Sequence, residues 1–432
     1  MTTEWASSIY GETSGSKVAQ NAENISGPGE LELRVLGTAV SVVLQAGVTP
    51  ALEAKLRRAW SRCLDRSCGL DQAGGLLPPA GNNPVQASKH MDERPFQATV
   101  SSAMGSTPVT GRTFREFASD LTSAVTLAAI TSGRGGLVML HAAALAEEKT
   151  GRAVALVGRS GMGKTTATRR LGAKLGYVTD ETVGIDGSGR IVPYAKPLSL
   201  IIDEAPAPKH QISPDDLGLL MAPASPTLAL VVLLDRNRDA AAPKVTLLSH
   251  AEAIIELAPH TSSLGKVGRP VSRLFDILDA TGGAVRVTYR EAEDLADVLP
   301  ALLDRTPITK RWTSVLGAEP ALPEGHEHGD TSNSPTLSRA DLLDAVELPL
   351  PDGQGTELVV MTDRGVVRIT GIGPAIWHAL ATPGDLSGIA QRIAPHVGLP
   401  PGYEALLLSS VKELLSQGIL VQESHALVEN PA

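Results

Sequence analysis

Residues 153–166 read AVALV-GRSGMGKTT, and this stretch decides the fold class. Gly158, Gly163, Lys164 and Thr165 satisfy the pattern G-x-x-x-x-G-K-[ST] in full. The five aliphatic residues before it, Ala153 to Val157, form a short unbroken apolar run of the kind found in buried strands, and Thr165 to Leu175 has helical spacing. A strand, a glycine-rich loop and a helix in that order turn successive backbone N–H groups inward and place the positive end of a helix behind them, an anion-binding arrangement. The expected cofactors are ATP and Mg²⁺. Gly158, Ser160, Gly161, Gly163, Lys164, Thr165 and Thr166 would hold them, with Lys164 facing the outer phosphates and the Thr165 hydroxyl reaching the metal.

Acids near such a loop decide what happens to a nucleotide. A short apolar strand, Tyr177 to Thr179, ends in Asp180-Glu181, and strand ends converge on the ligand crevice of an open α/β sheet. One acid would bind Mg²⁺ and the other would act as general base toward a hydroxyl. Asp235, closing the strand Leu228 to Leu234 with Arg236 beside it, is a second metal candidate; the plainer reading is a strand-end cap and a surface ion pair. The expected metal set is therefore Thr165, Asp180 and Asp235.

The chain has 432 residues, enough for two or three domains and a core that needs no staples. Its net charge of −9 argues against nucleic acid or an anionic membrane as partner. Cys63 and Cys68 make neither a disulfide framework nor a four-ligand zinc site. The opening MTTEWASSIYG lacks a basic segment followed by an apolar one, and the apolar runs are too short to span a bilayer. The expected setting is cytoplasmic, without secretion or membrane insertion.

Composition shifts divide the chain. Residues 1–28 read as a flexible tail, 29–111 as a small α/β lobe, 112–310 as the domain carrying the glycine-rich loop, and 311–338 as a linker. His326 and His328 within that linker lack a third ligand nearby and read as solvated side chains. Residues 339–425 form an α+β module, expected to fold alone: strands near 346–350, 357–361 and 366–370, then helices near 374–381, 386–397 and 403–417. Trp377 reads as core. The module carries no nucleophile or phosphate loop, so it should bind rather than catalyse. Its last helix sets one base, Lys412, against Glu404 and Glu413, a poor surface for DNA; pairing of an extended peptide with a sheet edge suits it better.

Two resemblances carry these readings further. LVMLHAAALA with His141, then GRSGMGKTT, YVTDETVGID and PYAKPLSL, resemble in order the HPr serine kinase/phosphorylase family over about residues 112–300. The resemblance implies a P-loop domain in which His141 lies close to the phosphates while Asp180 and Glu181 provide magnesium binding and the general base. Glu181 stands where the family has a second aspartate, and the family's Gly- and Arg-containing stretch for gripping a protein substrate is not found. Without the family, a lone histidine on an apolar strand reads as a core residue.

The C-terminal module, through GVVRIT, GPAIWHAL, DLSGIAQRIAPHVGLP and LLSQGIL, resembles the PqqD-like recognition elements of ribosomally made, modified peptides (RiPPs). This implies a winged-helix-like module in which a precursor's leader pairs with the third strand, Val366, Val367, Arg368 and Ile369, and packs on Leu407, Val411 and Leu414 of the third helix. The fusion is similar to RiPP biosynthesis proteins of lasso-peptide or daptide pathways. The resemblance implies a leader-recognition protein that binds ATP and delivers the precursor to a pathway modifying enzyme, or alternatively an ATP-dependent Ser/Thr kinase of the precursor.

Overall fold

A computed structural model describes residues 29–65, 95–202, 207–317, 335–398 and 401–423. The expected tail, Cys68, and the His326 and His328 pair lie outside the described residues. Those residues form a mixed α/β protein with nine α-helices, and among them no helix is long and apolar enough to cross a membrane.

The N-terminal lobe is an antiparallel meander, β1 (Glu30–Val35), β2 (Thr38–Leu44), β3 (Phe96–Ser102) and β4 (Gly105–Gly111), in that spatial order. Period-2 alternation in ELELRV sends Leu31, Leu33 and Val35 to one face. Helices α1 (Pro50–Ala59) and α2 (Phe114–Ser132) begin at Thr49 and Thr113, whose hydroxyls accept from the N–H groups of Leu52 and Glu116. Trp60 from the end of α1 and Phe117, Leu121 and Val125 from α2 complete this core.

The central sheet has nine strands. Its main path runs β13 (Lys244–Leu247), β15 (Ala284–Tyr289), β12 (Thr227–Arg236), β6 (Arg152–Val157), β5 (Val138–Ala146), β8 (Thr182–Ile185) and β9 (Ile191–Val192). Strands β7 (Gly176–Thr179) and β14 (Thr261–Ser262) also pair with β5, while β10 (Leu198–Leu200) and β11 (His210–Ile212) form a separate antiparallel pair. β6, β12 and β15 are mutually parallel, with register pairs Val157↔Leu233 and Leu234↔Val287, while β5 runs antiparallel to β6. Both faces of a parallel core need cover, which explains why AVALV and LALVVLL are apolar at every position rather than alternating. One face takes α3 (Lys164–Leu171) and α6 (Ala292–Leu303); the other takes α4 (His250–Leu257) and α5 (Pro270–Ala280).

The C-terminal part has a sheet ordered β16 (Thr313–Ser314), β18 (Asp344–Pro349), β19 (Thr356–Thr362), β20 (Gly365–Ile369) and a separate pair, β17 (Thr336–Arg339) with β21 (Leu420–Glu423). Helices α7 (Gly373–Ala379), α8 (Leu386–Val397) and α9 (Tyr403–Ser416) cover one face, where Trp377 is 2% exposed.

This module departs from the sequence expectation in two respects. Within residues 311–317, read as linker, Trp312 lies in the central core beside Phe275, Val315 joins the module core, and Thr313 and Ser314 pair with Glu347 and Val346. The module is also not closed on itself. Ala345, Leu358 and Val360 point into its own core, but the alternate residues Val346, Val359 and Met361 join the central core with Phe275 and Trp312. At this boundary Asp344, fully buried, accepts from the backbone N–H of Ser272 at 2.7 Å and from its hydroxyl at 3.2 Å. Ser272 lies in the first turn of α5, whose N-cap Arg269 has φ 53° and no side-chain capping bond. A carboxylate from the module thus caps a helix of the central domain.

Asp344→Ala is expected to lower global stability by about 2–4 kcal/mol, because charge-assisted bonds to a buried carboxylate are each worth ~1.5–3 kcal/mol. Urea denaturation of the full chain measures this. Residues 336–432 expressed alone, stripped of β16 and of cover for Val346, Val359 and Met361, are expected to melt well below the full chain or to aggregate; an equally stable fragment would contradict the shared core.

Candidate functional site

The loop of residues 158–163 joins β6 directly to α3. Gly161 and Gly163 adopt φ of 86° and 88°, a left-handed conformation that side chains resist. Gly158 is pressed from the other side, since a Cβ there would lie 3.2 Å from Leu234 Cβ. Ser160, Gly161 and Thr166 are exposed and Thr165 is half-buried. The Lys164 ammonium donates to the Gly158 carbonyl and, at 3.3 Å, to that of Arg159. Burial holds the Lys164 pKa below its usual value; Asp180 opposes this shift and Lys209 adds to it. The Tyr289 hydroxyl donates to the Met162 carbonyl and steadies the loop.

His141 is the one exposed residue of a strand otherwise buried along its length. Ala142 pairs with Val157 and His141 with Thr182, so His141 lies one residue from the point where β6 ends and the loop begins at Gly158. Burial first, and then the charge of Lys164, pulls its pKa below the ordinary histidine value, while Glu181 and Asp180 push the other way.

Asp180 and Glu181 form the turn between β7 and β8, where the Glu181 carbonyl accepts from Ala142 N–H at 3.1 Å. Their side chains share a partner the sequence reading missed. Lys196 Nζ, 1% exposed, lies 3.0 Å from Asp180 Oδ1 and 3.2 Å from Glu181 Oε2, and donates to the Pro197 carbonyl at 3.0 Å. Burial works against the Lys196 charge, but the two carboxylates outweigh it and its pKa stays above normal. The Tyr177 hydroxyl lies 3.2 Å from Asp180 Oδ1 and 3.0 Å from the Lys196 carbonyl. The Asp180 side chain is 3% exposed and that of Glu181 35%. Cys63 belongs to the same buried region, and desolvation pushes its thiol up to about 12, only partly opposed by Lys196.

The other candidates are more scattered. Asp235 accepts from the Thr288 hydroxyl at 2.8 Å, and Arg236 pairs with Glu291 at 2.9 Å, which is the cap-and-ion-pair arrangement considered from sequence. Among the described residues no group of three or more His, Cys, Asp or Glu side chains is spaced to hold a metal.

In the module, β20 is the last strand of its sheet, and among the described residues no strand pairs with its outer edge. Val366, Val367 and Arg368 line a groove of about 430 Å³ whose other wall is Glu252, Ile255 and Glu256 of α4. Arg368 is tied to the buried Glu357 at 2.5 Å, and Glu256 to Arg286. Ile369, Leu407, Val411 and Leu414 are each at most 4% exposed, inside the module's core. Val411 also borders a second cavity of about 380 Å³ with Leu337, Leu386, Leu408 and Leu415. The structure therefore places α4, and not α9, across the groove from Val366 to Arg368. The helix residues chosen from sequence are inward-facing.

Lys196→Met is expected to cost about 3–5 kcal/mol in urea denaturation, since removing one partner strands buried carboxylate charge. The double variant with Asp180→Asn should recover a measurable part of that loss; full additivity of the two changes would mean that they do not interact. Compared with known proteins, the chain matches no family model, and no curated protein matches it.

Proposed function

We propose that this chain binds ATP with Mg²⁺ at residues 158–166 and captures the leader of a RiPP precursor as an added strand on β20, presenting it to a pathway modifying enzyme in the cytoplasm. In fold terms this is an HPr kinase-like P-loop domain joined to a PqqD-like, winged-helix-like module. The observation that carries the reading is the outer edge of β20 beside a groove lined by Val366 and Val367 on one side and Ile255 on the other. An extended peptide gains affinity from backbone pairing on such an edge and selectivity from the pockets that take alternate side chains.

The residues around the loop fit the cofactor. Left-handed glycines, a lysine at the helix start and the cationic neighbours Arg159 and Lys209 suit a polyphosphate. The Thr165 hydroxyl and the Asp180–Glu181 carboxylates, which share one lysine between two negative charges, would hold Mg²⁺. The ion would neutralise charge on the outer phosphates.

A kinase of the precursor is the second reading, favoured by the partial exposure of Glu181. Asp180, buried and held by Lys196 and Tyr177, is poorly placed to take a proton from a peptide hydroxyl. In that reading the base is Glu181.

Lys164→Ala is expected to weaken ATP binding about 10- to 100-fold in calorimetry, the loss of a charge-assisted contact worth ~1.5–3 kcal/mol. Peptides selected on the full chain from a displayed library of unstructured sequences should lose affinity for Ile255→Asp and show little dependence on salt. Selected peptides that bind this variant as well as the parent would place recognition elsewhere. Incubating those peptides with labelled ATP separates the readings: peptide phosphate that vanishes in Glu181→Gln supports the kinase.

A further inference from the structure

The α4 helix ends in a tight turn, Ala258 to His260, closed by the Thr261 hydroxyl donating to the Ala258 carbonyl at 2.7 Å. The chain then enters β14, which pairs with β5 through Thr261↔Leu140 and Ser262↔Met139. β14 and β6 pair with the same edge of β5, β14 as far as Leu140 and β6 from Ala142, so His141 lies at their junction, where Gly158 follows the end of β6 and His260 precedes the start of β14. Two histidines, one on β5 and one in the turn before β14, thus come close enough at the start of the glycine-rich loop for His141 and Lys164 to act on His260, and neither belongs to the apolar core.

Their surroundings are cationic. His260 is half-buried, and burial, followed by Lys164, His141 and Arg159, favours its uncharged form. Lys209 adds positive potential to both Lys164 and His141. The nearby carboxylates, Asp180 and Glu181, are already shared with Lys196. A group of Lys164, Arg159 and Lys209 with two neutral imidazoles calls for a compact anion, and each imidazole can donate one N–H to a phosphate oxygen. A turn fixed by the α4 end and by pairing with β5 aims the second imidazole without a rotamer-rich side chain, which limits the entropy lost on contact.

We infer that His260 contacts the terminal phosphate of the bound nucleotide and, with His141, makes the site discriminate a nucleoside triphosphate from the diphosphate. This rests on the nucleotide-site reading above. It was not legible in the sequence, because the stretch APHTSS around His260 carries no periodic pattern and the pairing that delivers it spans more than a hundred residues.

The test measures ATP and ADP affinities of the full chain by displacement of a fluorescent ADP analogue. His260→Ala is expected to weaken ATP about tenfold while leaving ADP within about twofold, and His260→Gln, which keeps an N–H donor, should restore part of the ATP preference. Equal weakening of ATP and ADP in both variants would make His260 a structural residue and overturn the inference, as would an unchanged ATP-to-ADP ratio. Lys164→Ala separates the two levels: if it leaves both affinities at parent values, the nucleotide site itself is wrong and the inference falls with it, whereas a loss there with an unchanged ratio in His260→Ala defeats the inference alone.

Discussion

A lysine ammonium with almost no access to water, Lys196, sets the geometry on which the loop region depends. Isolating such a charge costs several kcal/mol even after relaxation. Asp180, Glu181 and the Pro197 carbonyl offset that cost, so the segment carrying Lys196 and the β7–β8 turn fix one another. Tyr177 closes the arrangement from β7, reaching both the Asp180 carboxylate and the Lys196 carbonyl. Two residues before Lys196, the Tyr194 hydroxyl meets Thr126 Oγ1 of α2 at 2.6 Å, which anchors the same segment to the N-terminal lobe. Arg62, following α1, adds a second tie through Asp215 at 2.8 Å. The lobe is therefore part of what positions the two acids, although it contributes none of them.

The same economy joins the glycine-rich loop to the strand edge. Helix α4 gives Ala251, Ile254 and Leu257 to the central core and turns Glu252, Ile255 and Glu256 toward β20. Its C-terminal turn leads straight into the strand that pairs beside His141. Meanwhile the module contributes Val346, Val359 and Met361 to that core and caps α5 with Asp344. A sheet buried on both faces cannot shift by one residue without turning every one of these side chains to the wrong side.

Features encoded locally were legible in the sequence. The run AVALV, the loop glycines and the spacing after Thr165 specify β6, the turn and α3 within residues 152–171. The module's three longer strands and three helices were legible for the same reason: each carries its own period and its own stops. What escaped was non-local. Strands β14, β16, β17 and β21 have two to four residues, too few to show alternation, and exist because a distant strand offers an edge. Lys196 was visible in PYAKPLSL, but a lysine reads as solvent-exposed unless its partners are known. Leu407, Val411 and Leu414 share one helical face, and periodicity identifies such a face without saying whether it meets a core or a ligand. The continuous run ELVVMT in β19 was the available signal that this sheet is covered twice; an independently folded module with one open face would alternate.

Charge is the last point at which whole-chain and local readings part. A net charge of −9 disfavours long polyanions, whose many phosphates would sample the whole surface. It says nothing about a compact one. Around the loop, Lys164 acts on both His141 and His260, with Lys209 and Arg159 adding positive potential, while Asp180 and Glu181 are engaged by Lys196. With a Debye length of ~8 Å at physiological salt, a local group of this kind and not the total charge would decide which anion the proposed site holds. Burial that lowers the Lys164 pKa also raises the strength of any contact the lysine makes, because the solvent that would screen it is excluded. If the loop holds a nucleotide as proposed, an acidic protein with a small, shielded cationic cluster would favour short anions over nucleic acid on these physical grounds.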